Sequence, residues 1–221
     1  MKRAVLFMVL LLVLVGSVNA QTTDRQPEVS IYSQYIDSLV SVRTSNSLPS
    51  AFNSGFLYGP GYVVTSNHVV SSESGQIKEG IEVEASNGWK NAEVLTRSKE
   101  RDIAILAVEN MSYRANSLRI SEEPARTGQE VGILGNPLGR EDVIMTGTVT
   151  ELNESITIYG AEEIENTIEI DAPIAPGNSG GPVINKEGEL LGIVAARDLD
   201  EDIGYAIPAE DIRFTATQIP G

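Results

Sequence analysis

The sequence predicts an all-β fold built from two barrels. Short apolar segments rich in Val and Ile recur along most of the chain, and Gly, Asn, Ser and Pro separate them. Many short strands with turn residues between them are typical of a β-barrel or a β-sandwich. A polar stretch over residues 112–128 divides these segments near their middle. We therefore expect one barrel over residues 28–115 and a second over residues 116–221.

Twelve segments are candidate strands, and a short helix is expected at each end of them. In chain order the strands are residues 41–44, 55–58, 62–65, 81–85, 92–96, 103–108, 130–134, 143–152, 167–171, 182–185, 190–195 and 204–207. Helical spacing of five apolar or aromatic residues predicts the first helix, and these residues are Tyr32, Tyr35, Ile36, Leu39 and Val40. The last helix is expected to start at Pro208, because proline is favoured in a first helical turn.

The N-terminal segment, residues 1–20, has the composition of a secretory signal peptide. Two basic residues precede an apolar run over 4–15, and the tripeptide at 18–20 resembles a signal-peptidase site. The run is too short to span a bilayer comfortably. We expect cleavage after Ala20, a disordered segment over 21–27, and a secreted, cell-surface or periplasmic protein without stable membrane insertion. An uncleaved N-terminal tether is the alternative.

Charge and cysteine content restrict the partners and the means of stabilisation. The formal net charge is −15, and the chain has no cysteine. An acidic protein is repelled by nucleic acids and by anionic membranes, so neither is expected as a partner. Because no disulfide can form, packing alone must hold an exported protein of this sequence together.

The segment at 177–182, Gly-Asn-Ser-Gly-Gly-Pro, is the most informative motif. A nucleophilic serine needs an exposed hydroxyl and nearby backbone N–H groups that can hold an oxyanion. Gly177 allows the loop to turn so that its N–H and that of Ser179 point at one place, and the glycines after Ser179 let a substrate approach. A glycine-rich hairpin turn is the alternative.

His68 and Asp102 complete the candidate site. His68 is the only histidine in the chain, and histidine is the side chain that exchanges a proton near neutral pH. Asp102 precedes the apolar run at 103–108, where its carboxylate could fix the tautomer of an imidazole and stabilise the imidazolium. Taken singly, a histidine is more often structural and such an aspartate a turn residue. The order His, Asp, Ser matches the chymotrypsin triad and neither the subtilisin nor the α/β-hydrolase order.

Several blocks, in this order, resemble the HtrA/DegP group of trypsin-like serine proteases. The resemblance covers about residues 28–212, and its blocks are residues 54–56, 65–70, 102–106, 135–139, 171–174, 177–182 and 204–208. It implies two six-stranded antiparallel β-barrels with the site in the cleft between them. It also implies His68, Asp102 and Ser179 as the catalytic triad of a serine endopeptidase. The oxyanion donors would be the backbone N–H groups of Gly177 and Ser179, and hydrolysis of unfolded or damaged polypeptides would need no cofactor or metal.

The same resemblance assigns the specificity pocket to Ile174, Val194, Ala195 and Ala196. All four are apolar and small to medium in size, so we expect Val, Ala, Ile or Leu before the scissile bond. The family often carries Ser or Thr near position 195, where the hydroxyl supports the catalytic aspartate. With alanine there, we expect a reduced rate. The alternative function is a weakly active or inactive peptide-binding or chaperone-like module on the same fold.

Two further expectations concern regulation and assembly. Family members usually carry C-terminal PDZ domains, and the best-known bacterial members have a long loop before the histidine strand. Here the sequence stops at Gly221 and the loop over 44–53 is short, so peptide-gated activation is not expected. Members often trimerise through aromatic residues near the N terminus, which makes Tyr32 and Tyr35 candidate homotrimer contacts. A lid packed on the chain's own barrel is the alternative.

Overall fold

The structure is a computed structural model that describes residues 30–45, 47, 52–112, 117–139, 142–158, 163–198 and 202–219. The signal peptide and the disordered segment expected over residues 1–27 lie outside the described residues. The described part of the chain forms thirteen strands, β1–β13, and a few short helices. None of the helices in that part is long and apolar enough to cross a membrane.

The first six strands form a closed antiparallel barrel in the order β1-β2-β3-β6-β5-β4. They are β1 (Leu39–Arg43), β2 (Asn53–Gly59), β3 (Tyr62–Ser66), β4 (Glu82–Ala85), β5 (Gly88–Ser98) and β6 (Ile103–Val108). A four-residue helix, α1 (Asn67–Val70), follows β3 directly. The end of β3 is therefore where the first barrel leads into the segment that carries the single histidine.

The remaining strands form a second, seven-stranded sheet in the order β11-β8-β9-β10-β13-β12-β7. They are β7 (Arg119–Ile120), β8 (Glu130–Gly135), β9 (Val143–Thr157), β10 (Glu163–Asp171), β11 (Pro182–Ile184), β12 (Glu189–Arg197) and β13 (Ile203–Pro208). Strands β11 and β12 also pair with each other, so six antiparallel strands close into a ring. The prediction of two six-stranded barrels is confirmed. The parallel strand β7 was not predicted, because two residues leave no periodic pattern.

The core has three parts, and one of them joins the barrels. Each barrel has its own interior cluster of buried apolar side chains. A third cluster contains Phe56 and Ile105 from the first barrel together with Leu134 and Ile193 from the second. Strand β6 contributes to two of them, because alternate residues point to opposite faces of a strand. Its continuous apolar run therefore reflects burial on both faces.

Both predicted helices exist, but their bounds differ from the expectation. A 3₁₀ helix occupies Ser33–Ser38, and Leu39 and Val40, which were expected at the end of a helix, begin β1. The C-terminal helix, α2 (Glu210–Ala216), starts after Pro208, which is the last residue of β13. In each case the strand takes the boundary residues, because ladder pairing and burial outweigh helical spacing.

Both N-terminal tyrosines pack on the chain's own second barrel. Tyr32 is 1% exposed, and a Cβ atom on Gly132 would lie 2.4 Å from its ring. A Cβ atom on Gly188 would lie 2.0 Å from the ring of Tyr35, whose hydroxyl donates to the carbonyl oxygen of Glu187 at 2.7 Å. This arrangement agrees with the lid alternative, and the homotrimer contact stays a prediction.

We predict that Tyr32→Ala lowers the free energy of unfolding by about 3 kcal/mol, because a buried aromatic ring leaves a cavity over Gly132. Urea denaturation followed by circular dichroism measures this change. Tyr62→Ala is the matched control, since that ring is 42% exposed and surface substitutions change stability by about 0.5 kcal/mol or less. Equal losses in both variants would contradict docking of the N-terminal segment.

Candidate active site

His68 and Asp102 are in direct contact. The Nδ1 atom of His68 lies 2.7 Å from Oδ2 of Asp102, and the backbone N–H of His68 donates to Oδ1 at 2.8 Å. The aspartate is buried and has a φ of 48°, a left-handed conformation that Asp adopts more readily than most residues. Because both carboxylate oxygens accept from His68, the proton is held on Nδ1. The Nε2 atom is then the ring nitrogen that can accept a proton.

Two basic side chains hold the helix that carries His68. The Nζ atom of Lys78 donates to the carbonyl oxygens of His68 at 2.9 Å and Val69 at 3.1 Å. Desolvation by burial lowers the pKa of Lys78. At the other end, Nη1 of Arg97 donates to Oδ1 of Asn67 at 3.1 Å. A four-residue helix leaves most of its carbonyls without helical partners. These side-chain contacts therefore help to fix α1, together with the backbone N–H of Lys78, which donates to the carbonyl oxygen of Val70 at 2.9 Å. Sequence reasoning assigned no role to Lys78 or Arg97.

The backbone N–H groups around Ser179 fall into two sets. Those of Asn178, Gly180 and Gly181 donate to backbone carbonyl oxygens at 3.1, 2.8 and 2.8 Å. Those of Gly177 and Ser179 donate to no acceptor among the described residues. Gly177 and Ser179 are half-buried, so their N–H groups are open to a ligand or to solvent. Two such groups beside a serine hydroxyl are what an oxyanion hole requires.

The orientation of the Pro176–Gly177 peptide fixes one of these two groups. The carbonyl oxygen of Pro176 accepts the N–H of Leu138 at 2.8 Å. In a planar trans peptide the C=O and N–H point in opposite directions, so the N–H of Gly177 points away from Leu138. Gly177 has a φ of 101°, and a Cβ atom there would lie 2.4 Å from the carbonyl oxygen of Asn136. Glycine is therefore required at this position.

Ser54, on β2 of the first barrel, forms hydrogen bonds with the loop that carries Ser179. Its N–H donates to the carbonyl oxygen of Ser179 at 3.0 Å, and its hydroxyl donates to the carbonyl oxygen of Gly177 at 2.7 Å. The same hydroxyl accepts the N–H of Asn136 at 2.9 Å. Sequence reasoning placed Ser54 and Asn136 inside family blocks but gave them no role. Membership of these two blocks was the sequence feature that could have indicated a role for them.

The absence of a side chain at Gly180 allows the first barrel to approach the loop that carries Ser179. A Cβ atom on Gly180 would lie 2.2 Å from the carbonyl oxygen of Ser54 and 2.3 Å from Oγ1 of Thr65. We expected the glycines after Ser179 to give space to a substrate. The contacts show that Gly180 gives space to protein atoms of β2 and β3, which brings the serine loop against the strand that precedes His68. Gly181 gives space to β8, since a Cβ atom there would lie 2.2 Å from the carbonyl oxygen of Leu134.

The four predicted pocket residues lie together, and Ser179 lies with them. They line a cavity of about 320 Å³, whose lining residues are Thr157, Ile158, Ile174, Ala175, Pro176, Ser179, Val194, Ala195, Ala196 and Arg197. A Cβ atom on Gly204 would lie 2.0 Å from Cδ1 of Ile174, so the isoleucine side chain packs against the backbone of β13. Sequence reasoning missed five lining residues: Thr157, Ile158, Ala175, Pro176 and Arg197. Three of them lie at or next to strand ends without a motif of their own, and Ala175 and Pro176 lie in the loop before Ser179.

Position 195 has no hydroxyl to offer Asp102. Instead, the two hydrogen bonds from His68 occupy one oxygen each of the Asp102 carboxylate. The backbone N–H of Asn67 also donates to the carbonyl oxygen of Asp102 at 3.0 Å. The aspartate is thus oriented from the histidine side, and the reduced rate expected from Ala195 stays a prediction.

Comparison with known proteins gives a consistent result. Residues 53–193 match the family described as trypsin-like peptidase domain. The periplasmic serine endoprotease DegP of Escherichia coli is 34% identical over 164 residues, which cover 72% of this chain and 33% of that protein. The serine protease Do-like HtrA of Bacillus subtilis is 28% identical over 190 residues, which cover 80% and 41% of the two chains.

Solved structures agree with this. The active form of the Rv3671c protease of Mycobacterium tuberculosis has a TM-score of 0.77 and 27% identity, with 90% of this chain and 87% of that chain covered. The chain spans about a third of the length of DegP. From the matched domain, the blocks of sequence and the fold, the chain belongs to the trypsin-like peptidase family and is homologous to the DegP and HtrA serine proteases.

Proposed function

We propose that this chain is an exported serine endopeptidase that cleaves unfolded or damaged proteins through an acyl-enzyme. The observation that carries the proposal is the pair of N–H groups at Gly177 and Ser179, which donate to no acceptor among the described residues. Preorganised donors of this kind supply a large share of catalysis in acyl transfer. His68, held by Asp102 at 2.7 Å, is the base that such a serine needs.

In the proposed reaction, Oγ of Ser179 attacks the carbonyl carbon of the scissile bond while Nε2 of His68 takes its proton. The carbonyl oxygen becomes an oxyanion and accepts from the N–H groups of Gly177 and Ser179. When the C–N bond breaks, the leaving amine takes the proton from His68 and the acyl group stays on Ser179. Water, deprotonated by the same imidazole, then releases the acid. Asp102 remains ionised throughout and holds Nδ1–H.

The substrate proposal follows from the cavity and from the adjacent strand edge. The walls of the cavity are mainly apolar and include Ile174, which favours Val, Ala, Ile or Leu before the scissile bond. Among the described residues, β12 has partners on its β11 side up to Val194. Beyond Val194 an extended polypeptide can add there as a strand through main-chain hydrogen bonds. Such bonds do not depend on side chains, which suits unfolded substrates.

Location and partners belong to the same proposal. DegP of Escherichia coli is named as a periplasmic endoprotease. The apolar segment at 4–15 has the length of the apolar region of a signal peptide. We therefore propose export by an N-terminal signal peptide and polypeptides as partners. A homotrimer stays a prediction, because Tyr32 and Tyr35 pack on the chain's own second barrel. The net charge of −15 argues against nucleic acid as a partner.

The second candidate is a peptide-binding module with little or no cleavage. The observation in its favour is Ala195, which removes a hydroxyl that related enzymes use to support the catalytic aspartate. A fluorophosphonate probe separates the two functions. Labelling of the wild type and not of Ser179→Ala supports the enzyme, whereas absence of labelling in both supports the module.

We predict that Ser179→Ala and His68→Ala each lower the rate of casein cleavage by at least about 10³-fold, because each removes a covalent or proton-transfer role. Gel electrophoresis of unfolded casein measures cleavage, and circular dichroism verifies the fold. Ser86→Ala, at an exposed serine of the first barrel, is the control and should cleave at the wild-type rate. Substantial activity in either purified triad variant would overturn the assignment.

We predict that Lys78→Met lowers kcat about tenfold with little change in KM, because the helix that carries His68 loses its contacts at 2.9 and 3.1 Å while the binding cavity is untouched. Steady-state kinetics on a fluorogenic peptide gives the two constants. Lys90→Met on β5 is the matched control. An unchanged kcat, or a rise in KM alone, would show that Lys78 does not position the histidine.

A further inference from the structure

Arg197 lies beside Ile174 at the exposed edge of the cavity. In the ladder between β12 and β13, Arg197 is directly opposite Gly204, and directly opposite residues of an antiparallel pair project on the same face. Ile174 covers that face, since a Cβ atom on Gly204 would lie 2.0 Å from Cδ1 of Ile174. In agreement, Nη1 of Arg197 is 3.5 Å from the carbonyl oxygen of Ile174. The guanidinium therefore lies at the rim of the cavity.

Arg197 forms no ion pair within 4 Å with an acid of the described part of the chain, although the acidic Asp198 follows it directly. The arginine is exposed. A guanidinium has five N–H donors in a planar fork, and the long contact with Ile174 uses one of them. Apart from Arg197, the residues that line the cavity carry no charge.

We propose that Arg197 is a specificity-determining residue that selects an acidic side chain two residues before the one that enters the cavity. Alternate residues of an extended chain project on the same side, about 6.7 Å apart, so that substrate residue lies over the rim. A carboxylate inside the apolar cavity would be costly, whereas at the rim it stays hydrated and can meet the guanidinium fork. The inference rests on the proposed function, because it specifies the substrate of that site.

The overall charge of the chain acts against this selection at long range. A net charge of −15 repels acidic peptides in general. At an ionic strength of about 0.15 M the Debye length is about 8 Å, so distant acids are screened and a group at the rim is less so. The comparison must therefore be made at that salt concentration and between variants of one residue.

The test uses three fluorogenic peptides that carry Val before the scissile bond and Glu, Gln or Lys two residues earlier. We expect the wild type to cleave the Glu peptide about fivefold faster than the Lys peptide, as measured by kcat/KM at about 0.15 M salt. The ratio should fall to about one in Arg197→Gln and reverse in Arg197→Glu. A wild-type ratio near one, or a ratio that Arg197→Glu leaves unchanged, would overturn the proposal.

Arg213→Glu is the matched control, because it makes the same charge change at an exposed arginine of α2. It should leave the ratio at the wild-type value. An equal shift in this control would overturn the proposal by showing an effect of net charge alone.

A binding measurement keeps this inference separate from the proposed function. Fluorescence anisotropy of the Glu and Lys peptides with Ser179→Ala, and with Ser179→Ala combined with Arg197→Glu, requires no cleavage. Tighter binding of the Glu peptide that reverses with Arg197→Glu supports the rim assignment even if the chain hydrolyses nothing. Equal dissociation constants for both peptides would refute it even if the chain is an active peptidase.

Discussion

The hydrogen bonds of Ser54 are the contact on which the rest of the site depends. This buried residue of the first barrel ties back the carbonyl oxygens of Ser179 and Gly177 at 3.0 and 2.7 Å, and it accepts the N–H of Asn136 at 2.9 Å. Buried polar groups must be paired inside the protein. Because each peptide is planar and trans, these two carbonyls orient the N–H groups of Asn178 and Gly180. The N–H groups of Gly177 and Ser179 are oriented instead by the carbonyls of Pro176 and Asn178, which accept the N–H groups of Leu138 and Gly181.

The interface between the barrels, called here the seam, sets how close His68 and Asp102 lie to Ser179. His68 and Asp102 belong to the first barrel, and Ser179 belongs to the second. The approach is close because Gly180 has no side chain, where a Cβ atom would lie 2.2 Å from the carbonyl oxygen of Ser54. The shared apolar cluster stabilises the same seam through burial. A substitution at the seam is therefore expected to act on the site even when it touches no residue of the proposed triad.

Much of the fold could be predicted because burial leaves a pattern in the sequence. The bounds of β6 were predicted correctly at 103–108, since both faces are buried and the apolar run is continuous. The strand predicted at 143–152 in fact extends to Thr157. The prediction ended too early because the last residues of the strand are partly exposed and include polar residues, so no apolar run marks them. The strand predicted at 92–96 begins at Gly88 for the same reason.

The site was predictable where a motif carries it and not where tertiary contacts do. The order of His68, Asp102 and Ser179 was enough to predict which residues to examine, and the structure brings the first two into contact. The hydroxyl of Ser54 is separated by 123 residues from the carbonyl it holds. No local pattern reports such a contact. The same holds for Arg197, whose position at the rim follows from its pairing with Gly204.

The most direct test of the central claim, a preformed oxyanion hole beside Ser179, is a crystal structure of the protein after reaction with a peptidyl phosphonate. We expect one phosphonyl oxygen about 2.7–3.1 Å from the backbone nitrogens of Gly177 and Ser179, with the Pro176 carbonyl still accepting the N–H of Leu138. A Pro176 carbonyl turned toward the phosphonyl group, or an adduct on a residue other than Ser179, would contradict the claim.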